Sequence, residues 1–250
     1  MNGRPATAGE TRFARYAYPP NELGYCGVGD GAELLGAATG QGGNEIRSSA
    51  ERFDGAWPYL KMLARSSGNA DPLDDAVVEA YWIGNSLLDR IDPAEFVAEV
   101  RSRFESQTGA DWQSLDATPT PVPHHSFHVL AIYPWTGLLR AGRRGPALEV
   151  LERCRIGWGQ VIGVQEDRIE VRHQALDFDG RRFFLGGNRT ESYRWRQGNG
   201  SLAGPLDEGA WVATHWGWAC EQLSQVQVEN LTQYTLRQLD VTNATATETT

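Results

Sequence analysis

The spacing of hydrophobic residues changes near position 150. Before it, apolar residues recur every three or four positions, as they do in the segment that follows the Asp92-Pro93 pair. A capping Asp, a Pro at the first helical position and an apolar stripe at this spacing predict a helix. Further helices are predicted over 71–83, over 50–64 with a break or a bend at Pro58, and over 124–140 with an interruption at Pro134. The first half is therefore predicted to be mainly helical.

After Cys154 the pattern alternates between apolar and polar positions, which favours short strands. Strands are predicted over 161–164, 169–172, 182–185, 192–195 and 211–215, separated by turns that include Gly186-Gly187-Asn188. Ser224 and Gln227 form a capping-box pattern that starts a final helix running to about residue 239. The predicted fold class is α+β: a helical domain over 1–148, an OB-like five-stranded β-barrel with a C-terminal helix over 149–240, and a disordered tail over 241–250.

Composition and charge narrow the class of protein. The chain has 250 residues, 40% of them hydrophobic and nine of them tryptophan, which is enough for a large core. Its formal charge of -9 argues against nucleic acid as a partner, because such binding depends on Lys and Arg. No apolar run is long enough for a membrane helix, and the N-terminal residues lack the apolar core of a signal peptide. A cytoplasmic protein with reduced thiols and no membrane partner is expected.

Cys154 and His215 are the main candidates for a metal site. Thiolate and imidazole both suit soft or borderline metals such as iron, so a Cys and a His brought together can hold such an ion. The alternative is that Cys154 is a small buried hydrophobe and His215 a hydrogen-bonded strand residue. If the metal reading holds, the thiol should be partly exposed, with its pKa depressed.

A second candidate site lies in the sequence His124-His125-Ser-Phe-His128. On a helix, His124 and His128 would share one face and could bind zinc, nickel or iron as a pair. The alternative is that these histidines form structural hydrogen bonds or contact a partner. Cys26, in a block rich in aromatic, Pro and Gly residues, and Cys220 are further possible ligands.

The segment from Cys154 to about Asp240 resembles the HypC/HupF-type [NiFe]-hydrogenase assembly chaperones. The resemblance rests on four short blocks in the family's order, namely Cys154-Arg-Ile-Gly-Trp-Gly-Gln-Val161, Asp177-Phe-Asp-Gly180 with Arg181 and Arg182, Gly209, and His215-Trp-Gly-Trp-Ala219. Trp158 stands where the family has proline. The first half, with its Tyr-Pro-Pro-Asn-Glu-Leu-Gly-Tyr-Cys and His-His-Ser-Phe-His blocks, resembles uncharacterised bacterial proteins associated with hydrogenases.

The resemblance implies an accessory chaperone of hydrogenase maturation that need not catalyse a reaction. Its cargo would be iron with cyanide and carbon monoxide ligands, and its partners the hydrogenase large-subunit precursor or other maturation factors. Cys154 would contact the iron or a partner cysteine, with His215 beside it and Cys220 as a further candidate. In the family this cysteine lies at a free terminus, whereas here about 150 residues precede it, so the barrel could serve for docking alone. A metalloenzyme using His124, His125 and His128, or a metal-free adaptor, are the other hypotheses.

Overall fold

A computed structural model describes residues 4–27, 31–40, 42, 45–106, 115, 120–143 and 145–244. Helices fill most of the chain before the barrel. They are α1 (Ala8–Glu22), α2 (Ala32–Ala38), α3 (Ile46–Ala50), α4 (Trp57–Ser67), α5 (Asp75–Trp82), α6 (Pro93–Phe104), α7 (His125–Phe127), α8 (Trp135–Arg140) and α9 (Ala147–Cys154), with a 3-10 turn at Leu88–Arg90 and a π-helical segment at His128–Ile132.

Side-chain caps fix where several of these helices start. The Asp92 carboxylate accepts hydrogen bonds from the backbone N–H groups of Ala94 and Glu95, which confirms the predicted start of α6. Pro58 does not bend a helix, contrary to prediction. It occupies the first turn of α4, where its missing N–H costs nothing, and α3 is a separate short helix.

Five strands form the closed barrel that the alternating pattern predicts. They are β1 (Gly157–Val164), β2 (Arg168–Phe178), β3 (Phe183–Arg194), β6 (Trp211–His215) and β7 (Trp218–Leu223), in the order β1-β2-β3-β7-β6, while β4 (Arg196–Gln197) and β5 (Gly200–Ser201) form a separate ribbon. Neighbouring strands are antiparallel except where β3 meets β7 in parallel at Arg194 and Trp218.

Two details of the sheet differ from the predicted strands. The turn predicted at Gly186-Gly187-Asn188 is wrong, because these residues lie inside β3. Asn188 pairs with Gln174 of β2, and the two glycines fall at a register irregularity opposite the segment between Gln174 and Leu176. Two predicted strands, 182–185 and 192–195, are thus the ends of one long strand. The fifth barrel strand is instead β7, which follows His215 after a two-residue turn.

The last helix, α10 (Gln225–Ala244), packs against the helical half and the barrel. Its predicted capping box is present, since Ser224 N–H donates to Gln227 Oε1 at 2.9 Å and Gln227 N–H donates to Ser224 Oγ at 3.3 Å. The helix extends past the predicted end at 239, and Val241 is fully buried in it. Residues 245–250 of the predicted tail lie outside the described residues. In the described part of the chain, no helix is both long and apolar enough to cross a membrane.

The main hydrophobic core crosses the predicted boundary at residue 148. One continuous cluster joins Phe13 of α1 and Tyr81 of α5 to Ala213 and Trp218 of the barrel. Helix α1 connects the two halves, because it contacts α2 and α5 on one side and strands β6 and β7 on the other. The candidate site lies at this junction.

Candidate metal centre

Three possible metal ligands from distant parts of the sequence meet between the helices and the barrel. His125 belongs to α7, Cys154 is the last residue of α9, and His215 is the last residue of β6. One ligand atom of each lies within 4.8 Å of those of the other two. We call these three residues the His/Cys cluster. The two residues that the sequence singles out, Cys154 and His215, are thus brought together with a third.

A strained turn holds the barrel strand against the end of α9. Trp216, which follows His215, has a φ of 48°, a left-handed conformation that is rare for a bulky residue. Its backbone N–H donates to the carbonyl of Arg153 at 2.9 Å, one residue before Cys154. Backbone strain of this kind persists only where surrounding structure enforces it, and it is concentrated at functional sites. The turn places the imidazole of His215 beside the Cys154 thiol.

The hydrogen bonds of His215 leave one ring nitrogen available as a ligand. Nδ1 lies 2.8 Å from the carbonyl oxygen of Tyr16, so Nδ1 must carry the proton and donate it. Nε2 then has a free lone pair, and it is buried with no hydrogen-bond partner among the described residues. Metal-binding histidines are commonly oriented by such a bond from the other nitrogen. Burial also lowers the pKa of His215 from 6.5 to about 4, which keeps the ring neutral at physiological pH.

His125 can adopt either neutral tautomer because Tyr81 can change its hydrogen-bond acceptor. His125 Nε2 lies 2.8 Å from the carbonyl of Cys154, and Nδ1 lies 3.0 Å from the Tyr81 hydroxyl, which also contacts the carbonyl of Gly55. With a proton on Nε2, the ring donates to Cys154 and accepts from Tyr81. If Tyr81 donates to Gly55 instead, Nδ1 can donate to the phenol oxygen and Nε2 becomes free to bind a metal.

The environment of Cys154 differs from the expected one. The thiol is buried, with 4% of the residue exposed, and burial raises its pKa well above the usual value, so the prediction of a partly exposed, acidic thiol is wrong. The reason is that α9 ends at the interface between helices and barrel rather than on a surface loop. A bound metal would deprotonate the thiol despite burial.

A cavity of about 220 Å³ opens beside the cluster. We call it the site cavity. Trp82 forms one wall, with its ring centroid 4.6 Å from that of His125 and 5.8 Å from that of His215. The other polar or sulfur-containing side chains that line the cavity are Cys26, Arg52, Asp54, Tyr81, His128 and Tyr133. Aromatic walls around a few polar groups are typical of sites that bind small ligands.

The remaining predicted ligands are separated by the structure. His128 lines the site cavity but its Nδ1 is 3.0 Å from the hydroxyl of Tyr59, and burial lowers its pKa to about 3. His124 is the N-cap of α7, stacks on Tyr234 and is not a lining residue, so the predicted His124/His128 pair does not form. His124 precedes the short helix α7, and His128 begins the π-helical segment, so the two histidines do not lie one turn apart on a single α-helix.

Cys26 and Cys220, the two other cysteines, have different surroundings. Cys26 lines the site cavity and is partly buried, with its Sγ 3.8 Å from the hydroxyl of Tyr133. Cys220 is fully buried in β7, and its Sγ is 3.8 Å from the carbonyl of Trp218. It lies outside the His/Cys cluster and the cavity lining.

The donor set of the cluster fits a soft or borderline transition metal. Two imidazole nitrogens and a thiolate suit zinc, iron or copper, whereas magnesium and calcium prefer oxygen. Around a tetrahedral ion with such ligands, the donor atoms lie roughly 3.3–3.6 Å apart, from bond lengths of about 2.0–2.3 Å. The three observed atoms lie within 4.8 Å of one another, so small side-chain rotations would close the set. The unpartnered Nε2 of His215 supports this assignment.

Fold and site together define an α+β protein in which a helical half and a closed barrel enclose a buried cluster of His and Cys side chains. The chain belongs to the family described as a family of unknown function, DUF6390, whose model matches residues 5–249. Neither a curated protein nor a solved structure matches it. The family match spans both halves, in agreement with the shared core.

Proposed function

We propose that this protein is an accessory factor of [NiFe]-hydrogenase maturation that holds a metal ion at His125, Cys154 and His215. The observation that carries the proposal is the meeting of Cys154 and His215. They are the residues on which the resemblance to the assembly chaperones depends, and their ligand atoms lie within 4.8 Å although the residues are far apart in sequence. The free lone pair on Nε2 makes His215 available as a metal ligand beside the Cys154 thiol.

Iron with cyanide and carbon monoxide ligands is the proposed cargo, and the hydrogenase large-subunit precursor or another maturation factor is the proposed partner. The burial of Cys154 gives it a holding role, because a thiol at this depth cannot meet a partner cysteine at the surface without movement of its cover. The site cavity leaves room beside the cluster for ligands that the ion carries. The cytoplasm is the proposed location, where thiols stay reduced.

A metalloenzyme built on the three clustered histidines is less well supported. His124 is turned away from the cavity, and His128 is hydrogen-bonded to Tyr59. A metal-free adaptor would leave the buried His215 Nε2 without a partner, which costs free energy with no evident gain.

Metal analysis of anaerobically purified protein tests the metal part of the proposal. We expect one ion bound per chain in the wild type, and loss of the ion in Cys154→Ala and His215→Ala. Cys220→Ala is the matched control, because it removes an equally buried thiol outside the cluster. Near-UV circular dichroism would establish that each variant is folded. Undiminished metal in Cys154→Ala would refute the assignment.

Capture of the hydrogenase large-subunit precursor tests the biological part separately. The immobilised wild-type protein should retain the precursor from an extract in which iron-centre assembly is active. Cys220→Ala should retain it equally, and Cys154→Ala should retain less. A protein that binds metal in the first experiment but retains no precursor or maturation factor would be a metal protein of another pathway.

A further inference from the structure

The His/Cys cluster offers three ligands, and a divalent ion that brings no ligands of its own takes four when the site is closed. The fourth donor must come from the lining of the site cavity or from a small molecule. His215 lines this same cavity, and its Nε2 is buried without a hydrogen-bond partner in the described part of the chain, so the position of an ion is indicated independently of any fourth residue. Of the donors in the lining, the Asp54 side chain is 86% exposed and lies 3.5 Å from the guanidinium of Arg103, and the Tyr25 ring is exposed and stacks on Trp216. The remaining donors are Cys26, Tyr81, His128 and Tyr133.

Hydrogen bonds remove His128 from that list. The hydroxyl of the fully buried Tyr59 has His128 Nδ1, at 3.0 Å, as its hydrogen-bond partner in the described part of the chain. Because a buried hydroxyl needs an acceptor, Tyr59 donates to Nδ1, and Nε2 therefore carries the ring proton. Tyr81 has a second acceptor in Gly55, which lets the His125 proton move, but Tyr59 has no second acceptor in the described part of the chain. Nε2 of His128 therefore stays a donor and cannot ligate.

The two phenols are weaker candidates than a thiol. Tyr81 is committed to Gly55 and His125, and its role is to orient the His125 ring. Soft and borderline ions prefer thiolate to phenol oxygen. Cys26 remains.

Cys26 has a fixed backbone and a weakly held side chain. Asn21 Nδ2 donates to its carbonyl oxygen at 2.9 Å, which anchors the main chain. Its Sγ has one polar contact in the described part of the chain, the Tyr133 hydroxyl at 3.8 Å, at the long limit for sulfur. Rotation of this side chain therefore breaks only this weak contact among those in the described part of the chain. Cys26 and Cys154 are also close enough for the negative charge of one thiolate to raise the pKa of the other.

Cys26 is also the more exposed of the two cysteines that line the site cavity. His125, Cys154 and His215 are buried, whereas Cys26 is partly exposed and its neighbour Tyr25 is 59% exposed. The Tyr25 ring stacks on Trp216 with centroids 4.3 Å apart, so this segment lies over the strained turn that carries His215. An ion arriving from solvent at this segment meets Cys26 before the buried donors.

We propose that Cys26 is the fourth ligand of the centre and the thiol through which a metal ion enters and leaves it. The inference rests on the proposed metal centre. The divalent ion binds Cys26 first and displaces its thiol proton to solvent. It then reaches His125 and His215, displaces the thiol proton of Cys154, and keeps Cys26 as the fourth ligand. The step is ligand exchange without oxidation or reduction, and each of the two thiols releases one proton.

Cobalt(II) is the probe for the number of thiolate ligands, since thiolate-to-cobalt charge transfer in the near ultraviolet grows with each bound sulfur. In the full-length protein, Cys26→Ala should show about half the wild-type intensity. It should also release one proton per ion instead of two, measured by calorimetry in buffers of different ionisation enthalpy. Cys26→Ser keeps the size of the side chain and should behave like Cys26→Ala. Cys220→Ala should match the wild type.

Uptake kinetics test the second half of the proposal. Stopped-flow mixing with cobalt(II) should show uptake slowed about tenfold or more in both Cys26 variants. Loss of a residue that only hydrogen-bonds to a metal ligand lowers metal affinity or activity about 10- to 100-fold, and loss of a direct ligand should have at least the smaller of these effects. Wild-type intensity, proton release and uptake rate in Cys26→Ala would overturn this inference while leaving the three-donor centre standing. A wild type that binds no cobalt would instead overturn the centre itself, and the inference with it.

Discussion

Acidification below neutral pH should destabilise this protein steeply, because it buries several histidines in their neutral form. Burial lowers the pKa of His124 and of His215 from 6.5 to about 4, and that of His128 to about 3. In the unfolded chain these rings take up protons as the pH falls through 6.5, while in the folded protein they do not until the pH reaches about 4. The unfolded state therefore binds more protons in this window, and stability falls with pH.

The magnitude follows from these values. At about pH 5, each of the three rings costs the folded state roughly 2 kcal/mol relative to neutral pH, so the loss is about 6 kcal/mol in all. The slope near pH 5 should be about 4 kcal/mol per pH unit, since nearly one proton per ring is taken up on unfolding. A loss of this size is comparable to the whole stability of an ordinary domain. The buried carboxylates whose pKa is lowered, such as Glu10, add to the loss only below about pH 4.5.

Guanidinium unfolding of the metal-free protein, followed by tryptophan fluorescence at closely spaced pH values, measures the slope directly. His124→Phe is the informative variant, because His124 stacks on Tyr234 away from the His/Cys cluster and an aromatic ring can take its place. It should remove one titrating ring and reduce the slope by about 1.4 kcal/mol per pH unit. A free energy of unfolding that stays level from neutral pH down to about pH 5 would refute the neutral burial of these rings.

Two further predictions concern the packing of α1. Gly9→Ala should lower the free energy of unfolding by about 3 kcal/mol or more, because a Cβ there would lie 2.0 Å from the carbonyl oxygen of Leu73. Thermal unfolding should show a lower midpoint. The control is Gly36→Ala in α2, where the space around a Cβ is open and the free energy of unfolding should rise by up to about 1 kcal/mol. Arg12→Ala should cost about 3–5 kcal/mol in chemical unfolding, because it leaves the Glu221 carboxylate buried without its cation; a cost under about 1 kcal/mol would contradict this reading.

Local rules predicted the elements whose signals are short-range. The Asp92 cap and the Ser224-Gln227 box both form as predicted, because each depends on side chains that reach backbone groups within three residues. Helix α1 was missed. Its capping box at Thr7 and Glu10 is a strong start signal, but Pro19 and Pro20 near its end argue against a helix in any local reading.

The glycines of β3 are a case in which a local signal predicted the wrong structure. Gly186 and Gly187 predict a turn, yet they lie in the middle of a strand of twelve residues. The residues on either side, Leu185 and Asn188, pair with Leu176 and Gln174 of β2, so the two glycines form an irregularity within the strand instead of a turn. Glycines in a strand and glycines in a turn look the same in the local sequence.

For the site, sequence reasoning paired Cys154 with His215 but did not add His125 to them. Cys154 and His215 were identified through short blocks in a known order, and His125 only as a member of the His124/His125/His128 cluster. The contacts that decide the chemistry are the Tyr16 carbonyl on His215 and the Tyr81 hydroxyl on His125. Both bridge long stretches of chain, and a backbone carbonyl leaves no signature in side-chain identity.

The helical half shows how a cysteine far from a free terminus could belong to the proposed metal site. In this chain the helices contribute a ligand, His125, and the carbonyl of Tyr16 that fixes the tautomer of His215, while the barrel contributes His215 and the turn that holds it to α9. Neither half contains the site alone. A barrel with a mobile terminal cysteine can offer its thiol directly to a partner, whereas this arrangement encloses the thiol. Under the proposed function, the helices would change a presenting site into a holding one, with the partly exposed Cys26 in the lining of the cavity beside it.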